Sequence, residues 1–167
     1  MAKHPDSYSS AQVALHWSVV VLVAFQFLAH AGMERAWRAF ERNEPTPGAD
    51  ITMAYLHIAA GVTVLLLMLA RLYLRLIRGV PAPPKDDPLA MRLVADIIHW
   101  LVYALLIALP LTGAAAWLAG FEPAADVHEF LTDVLLYAIV LHVGGALFQH
   151  FVQRSHVMMR MLRPGRG

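Results

Sequence analysis

Four long apolar runs decide most of what this chain can become. They cover Val13 to Met33, Met53 to about Leu74, about Val94 to Leu118, and about Phe130 to Val152. Each is near the ~20 residues that cross the ~30 Å hydrocarbon layer of a bilayer as a helix. Lipid offers the backbone no hydrogen-bond partners, so a spanning segment must satisfy its own N–H and C=O groups, and a helix does so. Four such helices with short links predict an all-α, four-transmembrane-helix, up-down-up-down bundle. The expected helices are about 11–33, 52–77, 92–119 and 127–153, in one membrane domain of residues 1–167.

Composition agrees. The chain is 59% hydrophobic and 15% charged, against ~45–50% and ~25% for soluble domains. A formal net charge of +1 gives no strong field for nucleic acid. The absence of cysteine excludes disulfides, thiolate metal sites, iron–sulfur clusters and covalent C-x-x-C-H haem attachment. Any haem is therefore held noncovalently.

The links carry breakers: Pro45, Pro47 and Gly48 in the first, "PAPPKDDP" (Pro81 to Pro88) in the second, Gly120 and Pro123 in the third. Pro110 lies inside the third helix and predicts a kink. Lys and Arg gather on one side, as Lys3, Arg71, Arg75, Arg78, Lys85, Arg92, Arg154, Arg160, Arg163 and Arg166. The other side has only Arg35, Arg38 and Arg42, diluted by Glu34, Glu41, Glu44 and Asp50. This bias predicts cytoplasmic N- and C-termini. Lys3, the first apolar run and "AHA" (Ala29 to Ala31) imitate a secretory signal; the expectation is a helix that stays.

Nine histidines in so apolar a chain need an explanation. Ionisable groups within a membrane are costly and mark function by default, and neutral imidazole is a common metal ligand. His128 and His142 are 14 positions apart in the fourth run. On a helix they share nearly one face, ~21 Å apart along the axis. Depth then sorts the rest. His16 begins the first helix at the level of His142, and His57 begins the second at the level of His128. Two six-coordinate haems, one above the other, would fit these pairs. His30, also 14 positions after His16, is a rival to His57. Gly61, one turn after His57, would give a flat ligand room and favours His57. His4 and His156 lie in polar tails and read as solvated; His99 beside Trp100 reads as interfacial. Arg71, 14 positions after His57, has two readings of equal weight: a fork for anionic haem propionates, or a cation snorkelling to lipid headgroups.

The segments "YSSAQVALHW" (Tyr8 to Trp17), "YLHIAAG" (Tyr55 to Gly61), "RLYLRL" (Arg71 to Leu76), "HWLVYALLIALPLTG" (His99 to Gly113), "VHEFL", "VLHVGGALFQHF" and "VMMRML" together resemble the bacterial cytochrome b561 family over essentially the whole chain. The resemblance implies a multi-pass inner-membrane protein with two haem b groups, ligated by His16 with His142 and by His57 with His128. It implies electron transfer from a periplasmic donor or partner protein to the quinone pool, with ubiquinone as acceptor. If the chain is an enzyme, it implies an oxidoreductase of the superoxide:ubiquinone type. Two departures stand out. Where family members can carry a His-His pair near the end of the fourth helix, this chain has Gln149-His150, which leaves His150 as the quinone candidate. The third link is acidic (Glu122, Asp126, Glu129) and would repel the superoxide anion. The alternative is a haem b membrane anchor for a separate dehydrogenase or periplasmic electron carrier. A metal importer is disfavoured, because Asp and Glu are absent from the spans away from their ends.

Overall fold

The computed structural model describes Pro5 and residues 7–84 and 87–163. Lys3, His4, Lys85 and Arg166, which entered the sequence reading, lie outside these residues. Four long helices follow one another: α1 (Ser10–Glu41), α2 (Gly48–Arg78), α3 (Leu89–Ala119) and α4 (Glu122–Phe151), with a short α5 (Val157–Leu162) at the end. All four long helices are apolar enough to cross a membrane. Leu28 is 86% exposed and Leu76 70%, so hydrocarbon must cover this surface. The all-α four-span bundle expected from the apolar runs is the observed architecture.

Local chemistry sets the ends. Ser9 and Gln12 form a capping box at the start of α1, which satisfies donors that a helix N-terminus leaves free. Gly120, at φ +61°, takes the left-handed position that ends α3, and Pro123 sits in the first turn of α4. α3 runs on through Pro110.

The first hairpin departs most from the expected boundaries. α1 continues past Met33 to Glu41, and α2 starts at Gly48. At ~1.5 Å per residue the 32 residues of α1 extend ~48 Å, well beyond the hydrocarbon layer. The extension is held by polar chemistry. Arg35 grips the Asp50 carboxylate through Nε (3.1 Å to both oxygens) and Nη2 (2.7 Å), and Glu34 pairs with Arg38 one turn on, at 3.2 Å. Gly32 lets the two helices close, because a Cβ there would lie 2.7 Å from the Cβ of Met53. Trp37, Phe40 and Trp117 stack across this end of the bundle, with ring centres 5.4–6.2 Å apart.

The opposite end, which carries both termini, is laced by hydrogen bonds. Gln12 Nε2 donates to the Gly79 carbonyl at 3.1 Å, and Trp17 Nε1 to the Met161 carbonyl at 2.9 Å. Arg160 donates to the Ala82 carbonyl at 2.8 Å, and Gln149 to Asp87 at 2.9 Å. Between the two ends lies an apolar core that includes Val19, Val64, Met68, Leu106 and Leu135.

α1 packs along α2 and α3 along α4, and α2 against α3 joins the two hairpins. Among the described residues, α1 and α4 have no comparable backbone packing. Side chains face one another across that fourth side.

Gly32→Val is expected to force α1 and α2 apart and to destabilise the protein by about 1–3 kcal/mol, the usual cost of overpacking. Thermal unfolding in detergent checks this; an unchanged midpoint would mean that the helix contact at Gly32 is not tight.

Candidate cofactor site

The histidines meet inside the bundle, one pair across the thinly packed α1–α4 side and the other between α2 and α4. His16 of α1 faces His142 of α4, with ring centres 6.4 Å apart and planes at 60°. His57 of α2 faces His128 of α4, at 6.3 Å and 65°. Two imidazoles bonded to opposite faces of one metal ion, with ~2.0 Å per bond and ~1.15 Å from nitrogen to ring centre, stand ~6.3 Å apart. Both pairs have this spacing, so the residues present fit bis-histidine ligation of a haem at each level. Among the described residues no group of three or more His, Asp or Glu gathers to hold a bare metal ion. The imidazoles come as facing pairs, which is what a six-coordinate haem takes.

The rivals occupy other places. His30 is exposed and makes no ring contact among the described residues. His99, read from sequence as interfacial, lies edge-on to His142 with ring centres 5.0 Å apart. That is shorter than the ~6.3 Å of two imidazoles on opposite faces of one ion. Its Nδ1 is bound to the Ala95 carbonyl of its own helix.

The surroundings of the His57–His128 pair are unequal. His128 Nδ1 lies 2.9 Å from the Leu109 carbonyl and 3.1 Å from the Thr112 hydroxyl. His57 Nδ1 is buried without a partner. The backbone carbonyl of His57 accepts from Gln26 Nε2 at 3.0 Å, while Gln26 Oε1 is itself buried and unpartnered. At Gly61, expected to make room for a flat ligand, a Cβ would stand 3.3 Å from Gln26 Nε2.

Arg71 points into the bundle. Its guanidinium is 5.9 Å from the centre of the Tyr103 ring, and Nη1 donates to the Gln12 carbonyl at 3.4 Å. Arg75 covers Trp100 at 4.9 Å and Tyr103 at 5.7 Å. Burial pushes the nearby Tyr8 phenol above its ordinary pKa, and Arg75, Arg160 and Arg71 pull against that rise. This cationic and aromatic group lies at the terminus-bearing end, toward the His16–His142 level. His150, near the end of α4, packs against Phe151 at 4.9 Å. Its Nδ1 and the Oε1 of Gln153 are buried without partners.

A four-helix membrane bundle with paired histidines facing one another inside it is the architecture of a b-type membrane cytochrome. The chain belongs to the prokaryotic cytochrome b561 family, whose pattern matches residues 7–164. It is therefore a haem b-binding membrane protein of electron transfer. It is 32% identical to "Cytochrome b562" of Cereibacter sphaeroides over 98% of this chain and 99% of that protein. It is 29% identical to "Probable superoxide oxidase CybB" of Yersinia pestis, over 96% and 98%. "Cytochrome b561 homolog 1" of Escherichia coli (strain K12) is 28% identical, over 94% and 97%.

Sequence reasoning did not find the partners of His128, because a carbonyl on a neighbouring helix leaves no residue-type signal. The Thr-Gly pair following Pro110 was the one visible trace.

A pyridine-haemochrome assay is expected to give two haem b per chain for the parent, about one for His57→Ala, and two for His30→Ala. Loss of haem in His30→Ala with retention in His57→Ala would reverse the assignment of that pair.

Proposed function

We propose that this protein carries electrons across the bacterial inner membrane, from a donor on the periplasmic side to ubiquinone, through two haem b groups. His57 and His128 hold the outer group, and His16 and His142 the inner one. The observation that carries this reading is the ligation distance shared by both histidine pairs, 6.3 and 6.4 Å, on two levels of one bundle. Haem b, when bound, supplies a one-electron iron couple at each level.

The protein's own residues do the rest. The helices hold the four half-buried imidazoles inside the bundle, and it is the neutral ring that has a lone pair to ligate with. Arg71 offers N–H donors to haem propionates at the inner level. His150 and Gln153, each with a buried polar atom that has no partner, offer hydrogen bonds to a quinone headgroup at the end of α4. Both termini face the cytoplasm in this reading, since Arg71, Arg75, Arg78, Arg154, Arg160 and Arg163 cluster at their end.

Superoxide is the proposed small-molecule donor, supported by the name of the Yersinia pestis relative. The outer face narrows how the anion is attracted. Arg35 is committed to Asp50 and Arg38 to Glu34, which leaves Arg42 as the outer arginine without an ion pair among the described residues. A second reading, a haem b anchor for a dehydrogenase or electron carrier, draws on the outer aromatic stack. Phe40 there is 49% exposed and offers a protein partner an apolar contact.

Dithionite-reduced protein is expected to reoxidise when a short-chain ubiquinone is added, followed by the fall of the α-band. His150→Ala should slow this about fivefold, the equivalent of one lost hydrogen bond. A band that stays reduced with quinone present would remove quinone from the reading. Arg42→Glu should lower superoxide-driven reduction, and the effect should fade as salt screens it.

A further inference from the structure

We propose that Thr112 and the Leu109 carbonyl of α3 are the positioning partners of His128, setting which of its ring nitrogens faces the cofactor. The proposal rests on His128 being an iron ligand, as put forward above. A carbonyl oxygen only accepts hydrogen bonds, and the Leu109 oxygen stands 2.9 Å from His128 Nδ1. Nδ1 must therefore carry the proton. The neutral ring then has its free lone pair on Nε2, the nitrogen that is available to iron.

The Thr112 hydroxyl completes the arrangement. Oγ1 lies 3.1 Å from the Ala108 carbonyl and 3.0 Å from the Leu109 carbonyl. Its one proton goes to one of these two. The oxygen lone pairs remain for His128 Nδ1 at 3.1 Å. Thr112 thus acts as a second acceptor for the same N–H.

Gly113 provides the space. A Cβ at that position would lie 3.1 Å from Cε1 and 3.2 Å from Nδ1 of His128, tighter than the ring could keep without turning. Three features of α3 within five residues, the Leu109 carbonyl, the Thr112 hydroxyl and the missing side chain of Gly113, meet one imidazole of α4. The facing ligand, His57, has no such support at Nδ1. The outer pair is therefore held from one side.

An N–H donated to good acceptors makes the imidazole more basic and a stronger donor to the metal. That favours ferric over ferrous iron. Thr112→Val keeps the side chain's shape and removes the hydroxyl acceptor. It is expected to shift the outer reduction equilibrium toward the ferrous form by about fivefold, or ~40 mV at 59 mV per tenfold. The inner couple should stay in place, and Thr112→Ser should restore the parent value. Gly113→Ala should turn the His128 ring and change the low-spin electron paramagnetic resonance signal of the outer haem alone.

The experiment is a redox titration with low-temperature electron paramagnetic resonance on purified holoprotein: parent, Thr112→Val, Thr112→Ser, Gly113→Ala and His128→Ala. An upward shift of one couple in Thr112→Val, reversed by serine, supports the proposal. Two haems in the parent, one in His128→Ala and unmoved couples in Thr112→Val overturn it while leaving the ligand reading intact. Two haems retained in His128→Ala overturn the ligand reading, and the positioning role with it.

Discussion

An imidazole inside hydrocarbon cannot remain without a bonding partner, and much of this structure answers to that constraint. Water is absent, and an unpaired polar ring costs several kcal/mol in lipid. Four of the histidines in the spans nevertheless meet in two facing pairs, with ring centres 6.4 and 6.3 Å apart. The helix lengths and the order of the spans set the two levels, and the thin packing between α1 and α4 leaves His16 and His142 facing each other. A bundle packed on all four sides by aliphatic residues would be simpler to build, but it would leave no place for flat cofactors.

The two ends of the bundle are built differently. The terminus-bearing end is stitched by side chain to backbone bonds between distant segments, such as Gln12 to Gly79 and Trp17 to Met161. These fix the mouth near the His16–His142 pair, where Arg71, Arg75 and Tyr8 crowd together. The other end relies on the Arg35–Asp50 fork and the Trp37–Phe40–Trp117 stack. Arg35 and Arg38 are held there by Asp50 and Glu34, while Glu41, Arg42, Glu44, Glu122, Asp126 and Glu129 make no ion pair among the described residues.

The four spans were legible because ~20 apolar residues in a row have few alternatives in water or lipid. The histidine levels were legible because helix rise converts position into depth. What was not legible has physical reasons. Glu34 to Glu41 looks like a loop by hydropathy, yet it is helix. It is supported by Ala36 and Ala39 buried against neighbours, by the Glu34–Arg38 pair within the helix, and by the Arg35–Asp50 pair, which forms only once α2 is alongside. The closeness of His99 to His142 depends on how α3 is rotated, which spacing within one helix does not determine. The support of His128 by Leu109 comes from a backbone atom, and every residue type carries the same one.

The thin seam between α1 and α4 has a consequence for how the protein is made. Helices in lipid associate through packing and polar contacts after each has inserted. Here the α1–α2 and α3–α4 hairpins can form on that basis, and α2 with α3 can hold them side by side. The fourth side lacks that packing. Haem held between His16 of α1 and His142 of α4, as proposed above, would add free energy to the closed state alone, growing with the logarithm of free haem over its dissociation constant. On the ligation proposed above, the closed bundle would gain its full stability only with haem bound, so its amount would follow the supply of haem as well as the expression of the chain.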